Sequence, residues 1–475
     1  MASAEKAESI VSAPRTEGFS RSLGLFQAVA VNMTQICGIG PFVTIPLMVG
    51  AMGGPTALIG WVFGALLAIT DGLVWAELGA AMPGAGGSYL YLREAFQYST
   101  GRLVPFLFVW TAMIFIPLIM STGVIGLVQY LGYYLPDLAT WQVRLISLGV
   151  VALVVVALYR PIASIGKLTT VLWAIMLVAV GGVTLASFTH FDAARAFTVP
   201  DGALRLDGRF FSGLGAGLVI AIYDYLGYNT VAYMGGELRD SGRVMPRAIV
   251  YSIVGMMAIY LCMNIGVLGA MPWQDIASSK SVGSAVLERT WGRTAAHVFT
   301  GLIIVTAFGS VFAGLLGGSR VPYNAAKDRL FFPVFGRLHP RWRFPHVSLL
   351  AMAAITAIGS LFTLDDVINM LVAVMVILQS LAQVAALTIL RRRQPALRRP
   401  YRMFLYPLPS VVAVIGWIYV YWASGKTAMG LSLAWIVAGT IAFLIWARVE
   451  RTWPFGPRTI HEEYLTAQRD AGQGA

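Results

Sequence analysis

Twelve apolar segments, separated by short polar loops, restrict the fold of this chain more than any other feature of its sequence. A membrane-spanning helix needs about 20 mainly apolar residues. The segments span residues 23–49, 56–82, 103–131, 142–160, 164–188, 212–236, 247–271, 295–318, 346–362, 366–390, 405–424 and 430–447. Only 12% of all residues are charged, whereas a soluble domain carries about a quarter. We therefore predict an all-α membrane protein with about twelve transmembrane helices, whose outer surface contacts the lipid bilayer.

The basic residues of the connecting loops indicate the orientation of the chain. With twelve spans, the polar tails 1–22 and 451–475 lie on the same side of the membrane. This side holds 26 of the 34 Lys and Arg residues, and the other side holds eight. Cytoplasmic loops are rich in Lys and Arg, so we expect both termini in the cytoplasm of a bacterial-type cytoplasmic membrane. The net charge of +12 comes from these loops and does not indicate nucleic-acid binding.

The sequence lacks the patterns of an enzyme, a cofactor site or a metal site. Residues 424–427 (SGKT) resemble the end of a phosphate-binding loop, but Val420 stands where that loop needs its first glycine. The pair Tyr223-Asp224 resembles half of an intramembrane aspartyl protease site, but the second aspartate that such a site needs does not appear. The five histidines are scattered, and no His-Glu-x-x-His motif is present. We therefore expect no catalytic activity and no cofactor.

Glycine interrupts two of the apolar segments at matching positions. Residues 38–41 (GIGP) interrupt the first segment, and Gly227 interrupts the sixth. A simple glycine or proline kink would explain either interruption alone. These segments, however, begin two successive blocks of five, and broken helices at matching positions of two repeats indicate a substrate site near the bilayer midplane.

Broken helices of this kind could bind an amino acid zwitterion. The N–H groups of Gly38, Ile39 and Gly40 could bind a carboxylate at the start of a half-helix. Backbone carbonyl groups in residues 223–226, together with the Asp224 carboxylate, could bind an ammonium group. The other candidate substrate-binding residues are Cys37, Trp110, Tyr223, Leu226, Gly227, Tyr228 and Asn229. The aromatic residues among them could instead pack between helices without contacting a substrate.

Three acidic residues inside apolar segments are candidates for coupling transport to an ion. A carboxylate at the bilayer centre costs roughly 3 kcal/mol, so a proton, a cationic substrate or a partner should compensate it. Asp224 lies in the middle of the sixth segment, and no Lys or Arg stands in the middle of another segment as an obvious partner. Glu77 lies near the cytoplasmic end of the second segment, where pairing with a loop cation is the favoured interpretation. Asp71 lies one to two turns deeper, and its role stays open.

Four groups of motifs resemble those of the amino acid–polyamine–organocation (APC) permeases, in the order found in that family. They are residues 37–41 (CGIGP) with 53–55 (GGP), residues 75–89 (WAELGAAMPGAGGSY), residues 235–240 (GGELRD) with 246–249 (PRAI), and residues 319–330 (SRVPYNAAKDRL) with 339–340 (HP). The length of the chain and the number of apolar segments also fit. The sequence is therefore identified as similar to an APC permease.

This resemblance implies both a fold and a mechanism. The fold would consist of a ten-helix transport core, residues 23–390, made of two inverted five-helix repeats at 23–188 and 212–390. Two C-terminal helices would follow within residues 391–450. The substrate would bind between the broken first and sixth helices and cross the membrane by alternating access, driven by protons or by exchange.

Two departures from the family pattern leave the coupling open. Asn229 stands where many members carry an acidic residue, and residues 174–176 (AIM) stand where some proton-coupled members carry a lysine. Lys167 is the only lysine of the fifth segment, and it lies at the cytoplasmic end. The pair Tyr223-Asp224 is similar to the polyamine-uptake branch. We expect an amino-acid transporter, with a polyamine or organic-amine carrier as the first alternative and a non-transporting nutrient sensor as the second.

Overall fold

The structure, a computed structural model, describes residues 23–82, 88–159, 165–232, 238–341 and 344–451. Each apolar segment contains a helix within this part of the chain. We label these helices α1a (Leu25–Ile36), α1b (Gly40–Met52), α2 (Ala57–Ala81), α3 (Leu103–Leu131), α4 (Thr140–Leu158), α5 (Ile165–Thr189), α6 (Gly208–Tyr225), α7 (Ser241–Ala270), α8 (Arg293–Gly318), α9 (His346–Gly359), α10 (Leu364–Met375 and Ala382–Arg393), α11 (Leu408–Ala423) and α12 (Lys426–Val449). The two parts of α10 are joined by a π-helical turn, Val376–Leu381.

Shorter helices connect the long ones. They are Ser88–Thr100, Ala193–Phe197, Trp273–Ser278, Val282–Thr290 and Arg320–Lys327, with 3₁₀ turns at Gly54–Thr56 and Pro333–Gly336. The only bridge between extended residues in the described ranges joins Leu23 to Leu238. The predicted all-α fold class is confirmed. The N-terminal tail 1–22 and residues 452–475 of the C-terminal tail lie outside the described residues.

The number of spans can be compared with the prediction only in part. Seven helices of the described residues are long and apolar enough to cross a membrane, and the bent pair α1a–α1b makes an eighth. Helices α9 and α11 and the apolar part of α5 are shorter. The total of twelve spans therefore stays a prediction.

Lipid-facing surfaces are visible at the periphery of the helix bundle. Only 22% of the most apolar window of α4 and of α12 is buried inside the protein, against 67% for α3. Leu153 and Val156 of α4, and Ile441 and Ile445 of α12, are more than half exposed. Soluble monomers seldom expose apolar surface on this scale. The peripheral helices thus present the apolar surface that a bilayer would cover.

The packing of the helices repeats after a shift of five. Helix α1a packs on α7, and its counterpart α6 packs on α2. Helix α3 packs on α10, and its counterpart α8 packs on α5. The helices α2 and α7 pack on each other, as do α3 and α8. Two five-helix repeats related by a pseudo-twofold axis generate this pattern, in agreement with the predicted architecture. Within the described residues, α6 also packs on α1b.

Candidate functional site

The first helix is broken at Cys37–Ile39, and the axes of α1a and α1b differ by 55°. Pro41 sits in the first turn of α1b and has no N–H to donate back toward α1a. Among the described residues, the N–H groups of Ile39 and Gly40 have no hydrogen-bond partner. The N–H of Gly38, by contrast, donates to the carbonyl oxygen of Ile36 at 3.1 Å. Two of the three predicted anion-binding N–H groups are therefore free.

The sixth helix ends at Tyr225, as the glycine signal predicted. Gly227 has φ +114°, a conformation that favours glycine because it lacks a Cβ. A Cβ at this position would also lie 2.9 Å from the carbonyl carbon of Gln35 and 3.0 Å from the nitrogen of Ile36. The two breaks therefore pack directly against each other, backbone to backbone. The later part of the predicted sixth segment, residues 233–236, lies outside the described residues.

A buried tyrosine of α7 links the two breaks. The Tyr260 hydroxyl lies 3.1 Å from the carbonyl oxygen of Ile36, where α1a ends, and 3.1 Å from that of Asp224 near the end of α6. Both carbonyl groups lose their helical partners at the breaks, so the hydroxyl compensates for this loss. The sequence analysis did not identify Tyr260. The one feature of the sequence that could have indicated it is a tyrosine hydroxyl in the middle of the seventh apolar segment.

Asp224 is only 2% exposed and has one unsatisfied oxygen. Its Oδ2 accepts a hydrogen bond from the Thr44 hydroxyl of α1b, whereas its Oδ1 has no partner among the described residues. The Oδ1 atom lies against Gly40, so a Cβ on that glycine would overlap it. Buried polar atoms are nearly always hydrogen-bonded, and this exception lies directly at the break of α1.

A cavity of about 90 Å³ is bordered by both breaks. Seven predicted site residues line it: Cys37, Gly38, Ile39, Gly40, Tyr223, Asp224 and Leu226. Lining residues that the sequence analysis missed are Thr34, Gln35 and Ile36 of α1a, Ile119, Met120 and Gly123 of α3, Leu172 and Met176 of α5, and Thr306, Gly309, Ser310, Val311 and Ala313 of α8. The Tyr223 hydroxyl, 2.6 Å from that of Thr122, fixes this wall to α3. The described lining contains no Lys, Arg or His.

The other predicted site residues lie outside the cavity lining. Trp110 stacks on Trp435 of α12 with ring centroids 4.8 Å apart, and its indole donates to the Trp435 carbonyl oxygen at 3.0 Å. Trp110, a candidate cavity wall from sequence, thus packs between α3 and α12 in this structure, and its contact with a substrate stays a prediction. Gly227, Tyr228 and Asn229 follow the break of α6 but do not border the cavity. The sequence placed these three residues near the break of the sixth segment, but it did not show that they lie away from the cavity.

The fifth helix contributes an apolar wall. Leu172 and Met176 line the cavity, and Met176 belongs to the region 174–176 singled out in the sequence. The side chain of Lys167 lies outside the described residues. Among the described residues, α5 therefore offers no cation to the cavity.

Glu77 and Asp71 of α2, the other coupling candidates, lie outside the cavity lining. Glu77, fully buried, accepts two hydrogen bonds from the Arg391 guanidinium and one from the backbone N–H of Met403 at 2.6 Å. A second guanidinium, that of Arg399, lies 3.6 Å away. The favoured interpretation, pairing with a loop cation, is therefore what the geometry shows for Glu77. Both oxygens of Asp71 accept hydrogen bonds, from the Tyr228 hydroxyl and from the Trp417 indole.

A tyrosine of α3 joins α3 to α1b and to the short helix Val282–Thr290. The Tyr130 hydroxyl of α3 donates to the carbonyl oxygen of Phe42 in α1b at 3.0 Å and accepts from the N–H of Gly283 at 3.1 Å. Gln35 of α1a lines the cavity and is exposed. The described residues thus leave the cavity accessible from the side of α1a.

Sequence comparisons place the chain among known transporters. A family model described as amino acid permease matches residues 23–450. The serine/threonine exchanger SteT of Bacillus subtilis is 26% identical over 417 residues, which cover 85% of this chain and 91% of SteT. The branched-chain amino acid permease BcaP of Lactococcus lactis is 22% identical over 410 residues, covering 83% and 88%. The human Asc-type amino acid transporter 1 is 26% identical over 470 residues, covering 93% and 84%. As the motifs predicted, the chain belongs to the amino acid permease family.

Proposed function

We propose that this protein is a secondary transporter that carries amino acids across the cytoplasmic membrane by alternating access. The observation that carries the proposal is the cavity where the free N–H groups of Ile39 and Gly40 adjoin the free carboxylate oxygen of Asp224. Free N–H groups at the start of a helix attract a carboxylate, and a carboxylate attracts an ammonium group. An amino acid carries both groups on one carbon atom.

The names of the relatives support amino acids as the substrate class. One exchanges serine and threonine, one is a branched-chain amino acid permease, and one is an Asc-type amino acid transporter. The protein is a transporter rather than an enzyme, as its family implies. The apolar side chains of Met120, Leu172 and Met176 would face the substrate side chain.

Alternating access follows from the position of the two breaks. A cavity reached from the α1a side, with Tyr130 joining α3 to α1b, corresponds to one of two states. Movement of α1 and α6 would close that side and open the α1b side. With both termini in the cytoplasm, the described state faces inward. The moving elements would belong to repeats at residues 23–188 and 212–390, with two further helices within 391–450.

Coupling to protons or to exchange would involve Asp224. A buried carboxylate with a free oxygen can bind either a proton or a substrate ammonium group, but both cannot occupy the same oxygen. Arrival of the substrate would then release the proton. In the exchange alternative, a second amino acid would replace the first, and the Asp224 carboxylate would bind the ammonium group of one or the other.

An amine without a carboxylate is the second candidate substrate. The observation that favours it is the combination of one acidic side chain and no cationic one in the described lining. A polyamine would bind Asp224 and leave the N–H groups of Ile39 and Gly40 free.

Uptake into liposomes tests these alternatives. The purified protein would be reconstituted, and uptake of labelled L-serine, L-leucine and putrescine would be measured with unlabelled substrate inside, with an acidic exterior, or with neither. We expect uptake of at least one amino acid, accelerated by preloading or by the proton gradient. Uptake of putrescine alone would establish the amine carrier. Thermal stabilisation by an amino acid without uptake in any condition would contradict transport and support the sensor.

A further inference from the structure

The residue after Gly227 is held from two sides by buried polar side chains. Tyr228 is 4% exposed. Its carbonyl oxygen accepts a hydrogen bond from Asn32 Nδ2 at 2.6 Å, and its hydroxyl donates to Asp71 Oδ2 at 2.6 Å. The Asn32 side chain also accepts from the N–H of Val231 at 2.9 Å through its Oδ1. The segment after the break is thus fixed at three points.

Asn32 connects this segment to the first break. It is fully buried and lies on α1a, four residues before Ile36, where α1a ends. Its Nδ2 also lies 3.3 Å from the Ser252 hydroxyl of α7. A displacement of Tyr228 would therefore be transmitted to the half-helix that borders the cavity.

Asp71 connects the same segment to the C-terminal helices. Its Oδ2 binds Tyr228, and its Oδ1 accepts a hydrogen bond from the Trp417 indole of α11 at 2.9 Å. Asp71 is fully buried on α2. One carboxylate therefore joins α2, the segment after α6 and α11.

We propose that Asn32 and Asp71 are positioning residues that hold Tyr228 and thereby fix the break of α6 beside the substrate. The inference rests on the proposed function, because Asp224, which would bind the substrate ammonium, lies three residues before Gly227 at this break. Residues after a glycine with positive φ lack helical hydrogen bonds and need other partners to keep one conformation. Neither residue touches the cavity, so both act through Tyr228. The contribution of Asp71 to this role is its hydrogen bonds with Tyr228 and Trp417 and not its charge.

Two substitutions of Asp71 separate this role from that of a proton carrier. In Asp71→Asn, the amide oxygen can accept from the Trp417 indole, and the amide nitrogen can donate to the oxygen of the Tyr228 hydroxyl. Both hydrogen bonds remain, and the titratable group is lost. In Asp71→Leu, both hydrogen bonds are lost. A positioning residue tolerates the first change, and a proton carrier tolerates neither.

L-serine uptake kinetics in liposomes supply the first readout. We expect Tyr228→Phe to raise the KM about tenfold, as the loss of one buried hydrogen bond allows, with the maximal rate within about threefold. Asn32→Ala removes three hydrogen bonds and should raise the KM at least as much. Asp71→Asn should keep the wild-type KM. The matched control is Tyr421→Phe, which removes a hydroxyl bonded to Ser432 between α11 and α12. It should also keep the wild-type KM.

The reactivity of Cys37 supplies a second readout that needs no substrate. Cys37 is buried and lines the cavity at the first break, and Cys262→Ser removes the only other thiol of the chain. In that background, we expect Tyr228→Phe and Asn32→Ala to speed modification of Cys37 by a methanethiosulfonate reagent severalfold, and Asp71→Asn to leave its rate unchanged.

The outcomes distinguish the positioning role from the proposed function. A KM increase in Asp71→Asn as large as in Asp71→Leu would overturn the inference, because the charge would then be required. Unchanged KM and unchanged Cys37 reactivity in Tyr228→Phe would overturn it as well. If the wild type takes up no L-serine but Cys37 reactivity changes as expected, the positioning role stands and L-serine transport fails. If Asp71→Leu does not fold, Asp71→Asn and Tyr228→Phe still test the positioning role.

Discussion

The surroundings of Asp224 and of Asp71 differ sharply although both carboxylates lie within apolar helices. Asp224 is 2% exposed and Asp71 is fully buried. Both oxygens of Asp71 accept hydrogen bonds, one from Tyr228 after α6 and one from Trp417 of α11, whereas Oδ1 of Asp224 has no partner among the described residues. Burial therefore does not identify a substrate site in this protein. The proposed substrate site rests instead on the unsatisfied oxygen of Asp224 beside the break of α1.

Glu77 resembles Asp71 because its carboxylate oxygens also have hydrogen-bond partners. Its partners are the guanidinium groups of Arg391, in the last turn of α10, and of Arg399, together with the N–H of Met403. Each acid of α2 therefore has at least one partner in the C-terminal part of the chain, Trp417 for Asp71 and Arg399 and Met403 for Glu77. The acids of α2 thus have their hydrogen-bond partners inside the protein, whereas we propose that Asp224 finds its partner in the substrate.

The largest effect should follow from Gly40→Ala, which tests whether Asp224 needs the space beside Gly40. The added Cβ would overlap Oδ1 of Asp224, so we expect uptake near background while the protein still inserts into the membrane. The matched control is Gly149→Ala in α4, because a Cβ there would have no neighbour within 4 Å. Normal uptake by Gly40→Ala would show that the geometry around Asp224 does not matter.

A smaller effect, on stability rather than affinity, should follow from Glu77→Gln. Removing one partner of a buried ion pair leaves unpaired charge, at a cost of about 3 kcal/mol. We expect a lower melting temperature in detergent and an unchanged KM. Glu94→Gln serves as the control, since its pair with Arg93 is partly exposed, at 28% and 30%, and such pairs contribute less than about 1 kcal/mol. A raised KM with unchanged melting temperature would move Glu77 into the substrate site.

The smallest effect should follow from Trp110→Phe, which keeps an aromatic ring against Trp435 and removes one hydrogen bond. Loss of that bond costs about 1 kcal/mol, so the melting temperature should fall slightly. The KM should match the wild type, because Trp110 lies between α3 and α12. A KM change comparable to that of a cavity residue would restore Trp110 to the substrate site.

The helix breaks could be predicted from sequence because their causes are local. Glycine and proline at residues 38–41 and Gly227 weaken a helix wherever they occur, and the spacing of the two breaks indicated a repeat. The mid-segment position of Asp224 was equally visible. For these features, neighbouring residues carry enough information.

The partners of these residues could not be predicted because they are distant in the chain. Tyr260 lies 224 residues from Ile36, Tyr228 lies 196 from Asn32, and Trp417 lies 346 from Asp71. A single sequence shows that a helix is apolar all round but not which of its faces meets which neighbour. For the same reason, Trp110 was assigned to the cavity when it packs against α12.

Asp224→Asn tests the central claim most directly, because it keeps the shape of the side chain and removes its charge. The measurement is uptake of L-serine and putrescine at several pH values, with the melting temperature as a control for folding. We predict a reduced rate, altered substrate preference and altered pH dependence, with a melting temperature equal to or above that of the wild type, because an unsatisfied buried charge is lost. Wild-type rate, preference and pH dependence in this variant would contradict the account and make Asp224 a structural residue.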